Sequence, residues 1–329
     1  MSVIIQIMVL SFFNYYYLVK NQNVSATSYE FEEEVNGSKK IKVPDGAKDI
    51  KVSYNAAYAA LLLDGQINIY NMKNNKKIDT IGGVNGEIKY FNWLPDRNFL
   101  IYSESNYKMR HVEVITKDVE SGIVHNYPMI KGLPKNSYVV DIALSPMTNV
   151  VYVKIKTSEE KARIYKYDIM DQSRYIFNIS LSSNIGEAYY QDKLVYETYE
   201  NRVYVWNGRK GISNYLGVKS RGTLLGIDDD DNVYIGEKSE SGKISKIYYG
   251  GLEAEGKDSC KEIDLKDSYD KEEFIKGKNG IPYILDKDNN CVINILNHDE
   301  IKYEGEFIEI LNNYIVFLDG KKLKAEMID

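Results

Sequence analysis

Residues 49–83 read DIKVSYNAAYAALLLDGQINIYNMKNNKKIDTIGG, and the fold turns on how this stretch is divided. Its apolar and aromatic residues fall into runs of strand length: DIKVSYN, AYAALLLDG, QINIYNM and KKIDTIGG. Polar breaks separate the runs, with no sustained helical period. Asp64-Gly65 lies between the second and third runs. That dipeptide favours a two-residue hairpin turn, because both central positions of the turn need positive φ. The reading is four short antiparallel strands.

The same grammar recurs along the chain. KYFNWLPDR, NFLIYSES, RHVEVITKDV and GIVHNYP form a second unit; VVDIALSPMT, NVVYVKIKTS, ARIYKYDIM and SRYIFNIS a third. GEAYYQ, KLVYETYE, NRVYVWNG and ISNYLG follow, then TLLGIDDDD, NVYIGEKSE, KISKIYYGG and CKEIDLK, then EFIKGKNG, IPYILDKD, CVINILN and EIKYEG. The middle hairpins repeat at roughly 40–50 residues, the period of four-stranded propeller blades. The last unit, EFIEIL, YIVFLDG and KKLKAEMI, supplies only three strands. A ring must be sealed, since an open end leaves an unpaired sheet face. The expected seal is an N-terminal strand: SKKIKV (38–43) by proximity, with YEFEEEV (29–35) the alternative or an extra strand, the two separated by an Asn36-Gly37 turn. The expected fold is all-β, a β-propeller of about seven blades over residues 28–329, or six if two units merge.

FNWLPDRNFLIYS (91–103) and IALSPMTNVVYV (142–153) resemble the strand, turn and strand of TolB-like propellers, of YVTN-type repeats and of the propeller domain of dipeptidyl-peptidase-type enzymes. Pro95-Asp96 and Ser145-Pro146 occupy the turn. IDDDDNVYIG (227–236) looks like the hairpin of NHL-type blades. The resemblance implies the fold and chooses poorly among propeller families. The WD-repeat Gly-His and Trp-Asp pair, the Asp-box and the kelch Gly-Gly signature are all missing in register.

Composition narrows the function classes. The 329 residues carry 42 Lys and Arg against 48 Asp and Glu, a net charge of −6, so a nucleic-acid partner is not expected. Three His and two Cys leave little material for a zinc site or a disulfide scaffold. There are 29 Tyr beside 9 Phe. Codon bias toward A and T would favour Phe at least as strongly, so the excess points to rings wanted on half-wet strand faces. The expectation is tyrosines wedged between blades with their hydroxyls near water.

The N-terminus reads differently. Val3–Val19 is uncharged, with Gln6, Ser11 and Asn14 diluting it, and Tyr15, Tyr16 and Tyr17 precede Lys20 as an interfacial aromatic belt would. Three readings stay open: a signal anchor over residues 1–20 with a linker at 21–27, a signal peptide cleaved near Val24-Ser25-Ala26, and a buried element of the fold. No Lys or Arg precedes the run, which counts against the first two. The anchor reading places the propeller outside the cytoplasm at the cell membrane.

Catalytic and metal chemistry find little support. A Gly-x-Ser-x-Gly elbow is missing, and after the repeats no residues remain for a hydrolase domain. His111, His125 and His298 are scattered over two units. Asp228–Asp231 and Asp286-Lys287-Asp288-Asn289-Asn290 carry alternating oxygen ligands but lack the glycine and distal glutamate of a calcium loop, so turn chemistry is expected. Cys260 and Cys291 fall in neighbouring units, and their pairing stays open. Trp93 and Trp206 read as blade packing, and Glu30–Glu34 as a solvated edge. No catalytic, metal or cofactor residue is assigned. The expected role is a membrane-anchored, extracytoplasmic binding or scaffolding module for a protein, peptide or envelope glycan. The alternatives are a propeller hydrolase or lactonase acting at the channel mouth, and a non-catalytic subunit of an envelope complex.

Overall fold

The computed structural model describes residues 39–170, 172–216, 221–253 and 260–328. The expected anchor, the linker, the start of the propeller at residue 28, the Glu30–Glu34 strip and the Asn36-Gly37 turn lie outside the described residues. Among the described residues the only helix is a 3-10 turn at Lys271–Glu273, and no helix is long and apolar enough to cross a membrane.

The rest is strand. β1 (Lys39–Lys42) comes first; blade one is β2 (Lys48–Val52), β3 (Tyr58–Leu63), β4 (Gln66–Asn71) and β5 (Lys76–Ile81). Blade two is β6 (Glu87–Trp93), β7 (Phe99–Asn106), β8 (His111–Asp118), β9 (Val124–Asn126) and β10 (Ile130–Lys131). Blade three is β11 (Tyr138–Leu144), β12 (Val151–Lys156), β13 (Lys161–Tyr167) and β14 (Ser173–Ser180). Blade four is β15 (Ile185–Glu187), β16 (Lys193–Glu197), β17 (Val203–Asn207) and β18 (Ile212–Tyr215). Blade five is β19 (Gly222–Ile227), β20 (Asn232–Lys238), β21 (Ile244–Gly251) and β22 (Lys261–Tyr269). Blade six is β23 (Phe274–Lys276), β24 (Pro282–Asp286), β25 (Cys291–Asn294) and β26 (Glu300–Lys302). Blade seven holds β27 (Glu306–Ile310), β28 (Tyr314–Asp319) and β29 (Lys322–Met327), and β1 completes it in the order β1-β29-β28-β27.

The fold is thus an all-β, seven-bladed propeller sealed by an N-terminal strand. SKKIKV is the sealing strand, with Ile41 opposite Leu323 in an antiparallel register. Both side chains are buried with Val52, Leu61 and Val316 in a core cluster shared by blades seven and one. Burying an isoleucine of this kind contributes about 1.5–3 kcal/mol. Asp64 and Gly65 take positive φ, 50° and 75°, so the hairpin of blade one has the backbone its sequence calls for. Blade two differs slightly from expectation. Its outer edge is split into β9 and β10, both on β8, with Pro128 between them. Proline has no N–H to give the ladder. Its carbonyl accepts the Tyr167 hydroxyl of blade three at 2.7 Å instead.

Tyr152, Tyr167, Tyr234 and Tyr248 are among the most deeply buried side chains. Hydroxyls of this group meet protein acceptors: Asp192 for Tyr152 and Asp228 for Tyr234, each at 2.8 Å. A buried phenol needs such a partner. Trp93 packs between blades as expected, stacking near Tyr58 and donating Nε1–H to the Lys51 carbonyl at 3.0 Å. Trp206 meets Phe177 of blade three edge-on.

Candidate functional site: the central channel

One backbone bond closes the first-to-second strand turn of every blade. Its donors are the N–H groups of Ser53, Leu94, Ser145, Ala188, Asp228, Gly277 and Leu311, at 2.8–3.2 Å from the start of the second strand. This equivalence aligns the inner strands. Two residues before each donor stand Lys51, Asn92, Ala143, Gly186, Gly226, Ile275 and Glu309. Blades seven, one and two therefore bring polar side chains to this level, whereas blades three, four and five bring small residues. Bulges precede several of these positions, in blades one, two, three, five and seven. Bulges re-aim side chains next to the places they mark.

The small residues leave room. A cavity of about 700 Å³ occupies the channel, lined by the inner strands of all the blades and by their first-to-second turns. Its size falls in the range of small-ligand sites. Close approach of blades five and six beside it depends on two glycines. A Cβ on Gly280, whose φ is +79°, would meet the Ile227 carbonyl oxygen at 1.6 Å, and one on Gly226 would meet the Gly280 carbonyl oxygen at 2.2 Å.

Charge is distributed unevenly around the cavity. Lys278, in the blade-six turn, reaches Glu309 of blade seven at 3.5 Å and the Asn92 amide oxygen of blade two at 3.1 Å. It crosses the ring as a spoke. Glu309 also accepts the Val52 N–H. Burial, with the Lys51 charge adding to it, pulls the Lys278 amine below the usual lysine range although Glu309 opposes this. Lys51 and Lys276 line the same cavity, and among the described residues neither has an ion-pair partner within 4.0 Å. Across from them Asp141 accepts the Ile142 N–H at 2.9 Å. Burial pushes its carboxyl pKa up, against the pull of Lys276, Lys154 and Lys51.

Glu187 also borders the cavity, but both its carboxyl oxygens are buried without a hydrogen-bond partner. Burial and the nearby Asp192 charge push its pKa well above the carboxylate range, with Lys166 opposing. Asp192 belongs to the seam between blades three and four. It takes the Tyr152 hydroxyl and the Lys166 ammonium, and the latter pair is 11% and 7% exposed. The turns of blades three, four and five are laced together above this seam. Ser145 Oγ donates to the Tyr189 carbonyl at 2.7 Å, and the Tyr189 N–H donates to Asp231.

The ring's other face is held by a second buried acid. Glu197, 3% exposed, accepts Thr223 at 3.0 Å and Lys271 at 2.9 Å, joining blades four, five and six. A shallower groove on that face, about 690 Å³, runs between Glu159–Lys161, Asn178–Ser182 and Tyr199.

Pro95, Asp96 and Pro146, which carry the resemblance, sit at the channel mouth; Asp96 is paired with Arg97. None of the three His lines the cavity. His111 lies 3.3 Å from Glu113, and His125 packs edge-on against Tyr127. Asp228 caps its own turn, accepting the N–H groups of Asp230 and Asn232 at 3.0 and 2.8 Å. Asp286 does the same for Asn289. Among the described residues no cluster of three or more His, Cys, Asp or Glu could hold a metal ion. Cys291 is a buried free thiol, so it does not bridge blade six to blade five. The channel charges are residues that the sequence reading misses. The signal that could find them is a charged residue inside an otherwise apolar inner strand, as in VVDIAL or EFIEIL.

No protein-family model matches the chain, and a search of curated proteins finds no match. Solved structures do match. A chain of the mitotic checkpoint complex superposes with a TM-score of 0.56 at 12% identity, covering 94% of this chain and 99% of that one. The β-propeller domain of Cps50 (Swd1) from Myceliophteria thermophila gives 0.54 at 12% identity, covering 88% and 100%. Both are WD40-type propellers. The likeness is one of fold: a seven-bladed β-propeller, built here without the WD signature.

Proposed function

We propose that this propeller is a non-catalytic binding or scaffolding module for a protein or peptide, working through the face that carries the first-to-second and third-to-fourth strand turns. The observation that carries this is the exposed apolar group around blades three and four. Met170 is 76% and Met147 61% exposed, in two turns of blade three, with Ile169 beside Met170 and Tyr190 in the next blade's turn. Exposed methionines and tyrosines are common at binding surfaces; here the turns of Met147 and Tyr190 are tied by the Ser145, Tyr189 and Asp231 bonds, and that of Met170 by its N–H donating to Asp168 at 2.9 Å. The occurrence of a similar propeller in a multi-protein assembly supports the reading.

A photo-crosslinker placed at Met147 or Met170 in the full chain tests it. The expected result is one discrete cross-linked partner in the native cell, lost when Met170→Glu is introduced. Equal labelling from Ile78, on the outer strand of blade one, would overturn it. The hydrolase or lactonase alternative gains nothing from the His positions. Anchoring by residues 1–20 and an extracytoplasmic body remain part of the proposal, supported by the uncharged Val3–Val19 run. Protease accessibility in intact cells without an outer barrier checks them; a protected body contradicts export.

A further inference from the structure

We propose that the channel holds an anion site, in which Lys51 and Lys276, backed by Lys278, bind a carboxylate or phosphate group entering from the turn face. The inference goes beyond partner docking on the apolar turns and does not depend on it.

Three lysines converge on one side of the cavity although the chain as a whole carries a net charge of −6. The acids nearby are accounted for. Glu309 is engaged by Lys278 and by the Val52 N–H. The oxygens of Glu187 are buried without a hydrogen-bond partner, and burial with the Asp192 charge pushes its pKa up. At the rim Asp96 is bound to Arg97, and Asp228 is spent on its own turn and on Tyr234. Asp229, also in that turn, has its pKa raised by burial. Among the described residues this leaves Asp141 as the channel carboxylate facing Lys51 and Lys276, and it lies beyond ion-pair distance of both.

Crowded cations in a concave, partly desolvated space repel one another more than they would in bulk water. Burial first, with the Lys51 and Lys276 charges adding to it, lowers the affinity of Lys278 for its proton. A bound anion would relieve the repulsion. The space for one is supplied by Ala143, Gly186 and Gly226 on the opposite side of the ring. Two lysine ammonium groups are flexible point charges and suit a carboxylate or a phosphate alike. The group could belong to a free small anion or to an acidic side chain of a partner.

Calorimetric titration of the full chain at low ionic strength, with inorganic phosphate and with an acetylated tetraglutamate peptide, tests the site. At least one probe is expected to bind at one equivalent, more weakly as salt rises. Phosphate alone identifies a free anion as the source, and a peptide at least tenfold tighter than phosphate identifies an acidic side chain. Lys51→Gln with Lys276→Gln should weaken binding about tenfold or more. Asp141→Asn should tighten it by removing a competing charge. Lys246→Gln, on β21 away from the channel, should leave it unchanged, and thermal melts of each variant report folding. Absence of saturable binding by either probe, or unchanged binding in the double Lys variant, would overturn the proposal.

Discussion

On the side of blades three and four, Asp141 apart, charge is locked into the wall of the channel. Asp192 is matched by Lys166 and Tyr152 within the seam, and Glu187 is buried beside them. On the side of blades six, seven and one, the seam behind the wall is apolar, built from residues such as Ile41, Val52, Val316 and Leu323. There the lysines project into the cavity, and only Lys278 among them is fully engaged. The difference separates two uses of the same residue types. A charge inside a seam is consumed by its partner and serves the fold. A charge that projects from an apolar seam into the cavity stays available to a ligand.

The sharpest way to break this comparison is at Asp192. Asp192→Ala leaves the Lys166 ammonium buried without its partner, a situation that costs about 3–5 kcal/mol. Urea unfolding should show this loss, whereas Lys166→Met combined with Asp192→Leu should restore most of it. If the single variant unfolds at the wild-type midpoint, the seam charges are not structural. The apolar seam should respond less steeply. Ile41→Ala removes buried methyl groups and is expected to cost about 2–3 kcal/mol, with no recovery available from a charge partner.

The smallest effect is a pH dependence at Glu187. Its folded-state pKa lies above the unfolded value, so the folded protein holds a proton that the unfolded chain releases. That contribution is fully present below about pH 4, where the unfolded glutamate is also protonated. It is lost as pH rises through the folded pKa. Melting temperatures of wild type and Glu187→Gln should therefore run parallel in acid and separate toward neutral pH, with the glutamine variant the more stable. Parallel curves throughout would put the Glu187 carboxyl in contact with water.

The seven-bladed repeat and the sealing strand are legible in the sequence because each rests on local chemistry, whereas the split outer edge of blade two is not. Asp64-Gly65 specifies its turn by backbone conformation, and SKKIKV advertises a strand by itself. The channel is not legible, for the opposite reason. Lys278 and Asn92 meet across 186 residues of chain, and no spacing rule relates them. Lys51 and Asp141 reach the cavity through bulges, which shift the side-chain alternation where a sequence reading assumes it continues. The tyrosine excess is architectural, as its distribution over the strand units implies. The hydroxyl partners stay hidden, because a residue such as Asp192 lies in the turn of a different blade.

The seal between β1 and β29 also gives the ring a mechanical polarity. Lys39 pairs with Ala325 and Lys42 with Lys322, so the outward-running ends of both strands leave from the same end of the ladder. Tension between the segment before Lys39 and the segment after Met327 loads these pairs one after another, as in unzipping, instead of all at once, as in shear. A pull across those two ends therefore opens the ring at its closure, while a pull transmitted through β28 and β29 meets a full ladder running from Tyr314 to Asp319.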